Sequence, residues 1–185
     1  MYRSRLVPCL LLKDKGLYKT VKFRNPRYLG DPINTLKLFN NKEVDEIVVL
    51  DISATITGKG PDFEYIKELT KECFMPMCYG GGVTNIQQIE MLYKLGVEKV
   101  ALNTALFMNP KLITDAARNF GSQSIVASID VKKNFFGSYS TYFMCGTKDT
   151  KIDPITYAKR AEELGVGEIL INSIDKDGMM NGYDY

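Results

Sequence analysis

The sequence predicts an α/β fold built on parallel strands. Three observations point there. Short β-branched apolar runs alternate with stretches of helical periodicity, the connections between them are short, and the pattern of strands repeats itself along the chain.

Taken in order, Leu6 to Leu12 reads as the first strand. A polar loop follows, expected over Asp14 to Gly30 and carrying Lys19, Lys22 and Arg24. Asp31-Pro32 then opens a helix to about Phe39. Glu46 to Asp51 is the second strand, and Pro61 to Phe74 is helical, with Phe63, Ile66, Leu69 and Cys73 near helical spacing. Met77 to Gly80 forms the third strand. It runs into Gly80-Gly81-Gly82 and a helix from Asn85 to Leu95. Strand, glycine turn and helix start together lay backbone N–H groups at a positive helix end, a ready anion site. The same glycines also suit a tight turn that needs them only for their dihedrals. Lys99 to Leu102 is the fourth strand. Asn109-Pro110 places a side-chain cap and a first-turn proline at a helix start, and Asp153-Pro154 repeats the device. Between these helices lie strand Ser124 to Asp130 and an alternating segment, Gly137 to Met144, read as a hairpin arm. Glu168 to Asn172 is the sixth core strand.

Composition excludes several functions. A net charge of +2 without a basic block gives no case for nucleic acid. No apolar run approaches the roughly 20 residues of a membrane span. Lys13, Asp14 and Lys15 cut the first apolar run too short for a signal peptide, so the expected compartment is the cytoplasm. Cys9, Cys73, Cys78 and Cys145 form no C-x-x-C pair and are expected as reduced, mostly buried thiols. The chain has no histidine. That removes the commonest general base and the usual zinc ligands, so acid–base chemistry falls to carboxylates, lysine or tyrosine, and neither metal nor cofactor is expected.

The repeat sharpens the fold. Shifted by 119, Leu6-Val-Pro-Cys-Leu-Leu-Leu-Lys13 lies on Ile125-Val-Ala-Ser-Ile-Asp-Val-Lys132; shifted by 122, Glu46-Ile-Val-Val falls on Glu168-Ile-Leu-Ile. Two four-strand units of about 120 residues would make a (βα)8 barrel of about 240. Residues 1–185 are then expected as a single barrel domain truncated after about six βα units, with half-barrel units near 1–120 and 121–185, the second incomplete.

In such a barrel the active site lies at the C-terminal strand ends. Leu11 and Lys13, Asp51, Gly80 to Gly82, Asn103 and Thr104, Asp130 and Lys132, and Asn172 to Asp177 stand there. Asp51 and Asp130 end apolar strands, where a buried acid needs partners or a shifted pKa; each could instead cap a loop. At the opposite ends, Arg5, Glu46, Lys99 and Glu168 each open a core strand. They would close the barrel floor as a neutral ionic ring, or stand as ordinary solvated strand ends.

Glycine loop, repeat and strand-start charges together resemble the cyclase subunit of imidazole glycerol phosphate synthase, the HisF family of (βα)8 barrels. The matching runs include Asp45-Glu-Ile-Val-Val-Leu-Asp51, Gly80-Gly-Gly82, Asn103-Thr-Ala105, Phe120-Gly-Ser-Gln123, Ile129-Asp130, Ser173-Ile-Asp-Lys-Asp-Gly178 and Gly182-Tyr-Asp184. The resemblance implies a partner glutaminase of the HisH type whose ammonia crosses the barrel to a bisphosphorylated small-molecule substrate. It implies Gly81, Gly82, Asn103 and Thr104 at one phosphate, Asp177 and Gly178 at the other end of the ligand, and Asp51, Ser173 and Lys19 near it. It makes Arg5, Glu46, Lys99 and Glu168 the ammonia gate and Asp130 one of two acid–base aspartates. The position of the second is Leu11, and leucine neither gives nor takes a proton. An offshoot of the family, second copies linked to surface-polysaccharide amidation, would need gate and partner surface without the acid–base pair; an inactive truncated product, with no stable fold, is the third alternative.

Overall fold

Residues 4–184 are described by a computed structural model; Met1 to Arg3 and Tyr185, which the expected domain 1–185 includes, lie outside the described residues. Strand β1 (Cys9–Lys13) is followed by β2 (Gly16–Val21) and β3 (Arg24–Gly30). The stretch expected as a loop over Asp14 to Gly30 is therefore a hairpin. Both of its reversals are tight turns held by side-chain-bearing residues at positive φ: Asp14 and Lys15 (48° and 60°), then Lys22 and Phe23 (53° and 60°). Two consecutive left-handed residues give the turn whose twist suits a hairpin.

Helix α1 (Pro32–Asn41) leads to β4 (Ile47–Asp51), a single turn α2 (Ala54–Thr57), α3 (Phe63–Glu72), β5 (Met77–Gly80) and α4 (Ile86–Lys94). Then come β6 (Lys99–Leu102), α5 (Thr104–Met108), α6 (Pro110–Phe120), β7 (Ile125–Lys133), β8 (Tyr139–Phe143), β9 (Lys148–Asp149), α7 (Pro154–Glu163) and β10 (Glu168–Ser173). Among the described residues five helices start on an Asp or Asn whose side chain accepts a backbone N–H of the first turn, among them Asp31 from Asn34 at 2.8 Å and Asp153 from Thr156 at 3.0 Å. Each such cap stabilises by about 1 kcal/mol.

Contacts divide the chain into two units. One holds the described residues up to Tyr18 together with Tyr28–Val100; the other holds Lys19–Arg27 and the chain from Ala101 onward.

In the first unit β4 lies parallel to β1 (Leu11↔Leu50, Leu12↔Asp51) and to β5 (Leu50↔Gly80), while β2 runs antiparallel to β1. Ile47, Val48 and Val49 are buried in succession, as are Met77, Cys78 and Tyr79, so these strands are covered on both faces. Leu36, Ile66, Leu69, Ile89 and Leu92 are among the helix residues buried in this unit. In the second unit β10 lies parallel to β7 and β8 antiparallel to it, with Asn172 and Tyr142 both in register with Asp130. Ile125 to Val131 is buried throughout, and Leu112, Ile113 and Ala116 of α6 are buried in this unit too. Among the described residues no helix is long and apolar enough to cross a membrane. The expectation of mostly buried thiols holds for Cys78; Cys9 is exposed, and Cys73 and Cys145 are half-buried.

Candidate active site

The second unit sets a carboxyl in the middle of β7 with almost no access to water. Asp130 is 6% exposed. Asn103, directly after β6, donates from Nδ2 to its Oδ2 at 3.2 Å; Asn172, beside it on β10, donates to its Oδ1 at 3.1 Å. Burial disfavours the anion, and the Asn172 hydrogen bond only partly restores it, so the carboxyl is pushed up to about 7. A group that changes protonation near neutrality can both take and give a proton at working pH. The amides are held in turn. Asn103 Nδ2 also reaches the carbonyls of Ser128 (3.0 Å) and Tyr142 (3.3 Å), and Asn172 Nδ2 reaches Ser128 Oγ at 3.4 Å. Thr104 Oγ1 accepts the Met144 N–H at 3.1 Å, which ties the start of α5 to the end of β8.

In the same unit the loop after β10 holds the tip of the β2–β3 hairpin. The Asp177 carboxylate Oδ2 accepts from Thr20 Oγ1 (2.7 Å) and the Phe23 N–H (2.9 Å), and its carbonyl accepts from the Lys22 N–H at 3.0 Å. Gly178 sits at φ 67°, and a Cβ there would fall on the Thr20 carbonyl oxygen. Asp177 and Gly178 thus have a positioning task for the hairpin. Ser173 Oγ donates to Asp184 Oδ2 at 2.8 Å, and Lys19 is exposed.

In the first unit the glycine turn packs on Asp51. A Cβ at Gly81 (φ 138°) would stand 2.7 Å from the Asp51 carbonyl oxygen, and one at Gly82 (φ 66°) 2.9 Å from Ala54 Cβ. Glycine is required at both for close approach. Asp51 Oδ1 accepts from the N–H groups of Ser53 (2.8 Å) and Ala54 (3.0 Å) and from Ser53 Oγ (2.7 Å), so it caps its own loop. The Gly82 N–H donates to Thr55 Oγ1 at 3.2 Å. Leu11 lies half-buried on β1 in register with Leu50.

Three of the four strand-start charges come together. Glu46 Oε2 accepts from Lys99 Nζ at 2.7 Å and from Arg5 Nη1 at 2.9 Å, with the Glu46 side chain 5% exposed. That favours the ionic cluster over solvated strand ends for these three. Glu168 opens β10 in the second unit, half-buried and in register with Val126.

Sequence reasoning placed Asn172 at the end of the sixth strand without giving it a role, and it missed Thr20. For Asn172 the signal was there: an amide closing the apolar run Glu168-Ile-Leu-Ile-Asn172 needs a buried polar neighbour.

A carboxyl buried on a core strand of a mostly parallel α/β chain fits a TIM-barrel-like enzyme. The family model described as "Histidine biosynthesis protein" matches residues 5–185. The hisF2 protein of Pseudomonas aeruginosa is 53% identical over 184 residues, all of this chain and 73% of that protein. The hisF3 protein of Vibrio vulnificus is 50% identical over 185 residues, all of this chain and 71% of its own length. "Imidazole glycerol phosphate synthase subunit HisF" of Bacillus cereus is 41% identical over 184 residues, all of this chain and 73% of that subunit. The chain belongs to the HisF family of histidine biosynthesis proteins.

Proposed function

We infer that the chain is a HisF-type cyclase subunit of an imidazole glycerol phosphate synthase-like glutamine amidotransferase complex. In this reading β1, β4, β5, β6, β7 and β10 are the first six strands of a (βα)8 barrel. A HisH-type glutaminase supplies ammonia past Arg5, Glu46, Lys99 and Glu168. The ammonia attacks a bisphosphorylated ribulosyl substrate, giving imidazole glycerol phosphate and aminoimidazole carboxamide ribotide. The glycine turn at Gly81 and Gly82, with Asn103 and Thr104, would receive one phosphate; Asp51, Ser173, Asp177, Gly178 and Lys19 would lie along the ligand. The observation that carries the reading is Asp130, buried between two amides and poised near 7 to move a proton.

Leu11 supports a second reading. With no acid at that position, cyclisation would run roughly 10²–10⁴-fold slower, and the subunit would serve as an ammonia conduit for a sugar amidotransferase in surface-polysaccharide synthesis. The higher identity to the hisF2 and hisF3 proteins than to the Bacillus cereus subunit favours it. Turnover of the ribulosyl substrate with ammonium salt separates the two. Activity with Leu11 in place that Asp130→Asn abolishes supports the cyclase. Activity that appears only in Leu11→Asp supports the conduit, and none in either variant refutes the cyclase reading.

A further inference from the structure

Within the second unit a cleft of about 450 Å³ opens between the hairpin tip and the end of β7. Lys22, Arg24 and Asn25 line it from the hairpin, with Lys132, Ile174 and Asp175 opposite. Three cations thus face one carboxylate. That carboxylate is engaged elsewhere, since Asp175 Oδ2 accepts the Lys133 N–H at 3.0 Å. Among the described residues none of the three cations makes an ion pair; Lys132 Nζ stands 5.9 Å from the Tyr142 ring centroid. Like charges gathered around a cleft repel one another, and an anion among them reverses the sign of that interaction.

The backbone turn that carries Lys22 is also held in place. Lys22 lies in the tight turn at φ 53°, and its N–H is bonded to the Asp177 carbonyl. The Asp177 carboxylate fixes Thr20 and Phe23 on either side of it. Ordering of this kind is normally what binding must supply.

We propose that this cleft binds the phosphoryl group of a small phosphorylated molecule, in addition to the sites the family resemblance implies. The Arg24 guanidinium offers a planar fork to two phosphoryl oxygens, Lys22 and Lys132 act as point charges, and the Asn25 amide adds a neutral donor. The volume suits a small molecule. The proposal holds whichever ammonia-dependent reaction the chain serves, because its test reads binding and not turnover.

Inorganic phosphate titrated into the full chain, followed by amide shifts, provides that test. The amides of residues 22–25 and 175 should move together and saturate. The double variant Lys22→Gln/Arg24→Gln should weaken binding about tenfold or more, and Lys132→Gln several-fold. Arg27→Gln, an exposed arginine of the same hairpin outside the cleft, should leave it unchanged. The proposal fails if those amides stay still, if chloride at the same concentration moves them equally, or if the double variant binds like the parent. It fails too if Arg27→Gln weakens binding as much, since diffuse surface charge would then be the cause. Should the double variant lose its fold, Lys132→Gln alone decides: unchanged affinity overturns the site.

Discussion

Replacing Asp130 by asparagine removes the titration of the most buried carboxyl in the second unit. The folded chain holds its proton to about 7, against the usual aspartate value of 3.8. At about 1.4 kcal/mol per unit, full ionisation costs the fold on the order of 4 kcal/mol. The native state binds this proton more tightly than the unfolded chain does. Its cost is therefore absent at low pH, grows as pH rises from about 4 to 7, and is constant above that. Between pH 5 and pH 8.5 the parent should lose on the order of 2–3 kcal/mol more than Asp130→Asn, which does not titrate. The substitution also sets an NH2 against the Nδ2 of Asn103 or Asn172. That leaves a donor unsatisfied at about 1–3 kcal/mol, but independently of pH. Urea melts of both proteins across this range give the difference directly. A difference that stays constant from pH 5 to pH 8.5 would refute the raised carboxyl, whatever its absolute size.

Three other substitutions probe neighbouring features. Asn172→Ala removes the hydrogen bond that lowers the Asp130 pKa, so the Asp130 carboxyl resonance should titrate above about 7; a lower midpoint contradicts the geometry. Glu46→Gln takes away the carboxylate shared by Lys99 and Arg5. Because Arg5 is half exposed, a loss near 3 kcal/mol is expected in a urea melt, with part of it recovered when Lys99→Met is added. Gly178→Ala drives a Cβ into the Thr20 carbonyl at a left-handed backbone position, so amides of residues 19–27 should exchange faster while those of β4 and β5 keep their protection.

Much of this architecture is legible in the chain because parallel strands and capped helices advertise themselves locally. Asp31-Pro32, Asn109-Pro110 and Asp153-Pro154 mark helix starts that the backbone honours, and the buried runs of β4 and β7 read as apolar words. The β2–β3 hairpin was not legible. Its turns use Asp14-Lys15 and Lys22-Phe23 where Asn-Gly would signal a reversal, and β3 is exposed along nearly its whole length, so it shows no alternation. At the site, Asp130 stood out as an acid ending an apolar strand. The Asn103 amide, expected from the family resemblance at a phosphate, bonds that acid. A residue's partners across a sheet depend on register, which one strand's sequence does not carry.

The Asp177 clasp also has a kinetic side. Thr20 and Asp177 are 157 residues apart, so the hairpin tip cannot acquire its anchor until nearly the whole described chain has been synthesised. Closing so long a loop is entropically expensive and contributes to slow, high-contact-order folding. During synthesis the basic tip would therefore wait, its turn already formed by local geometry but its dock not yet made. A late contact would thus be the one that fixes the turn carrying Lys22.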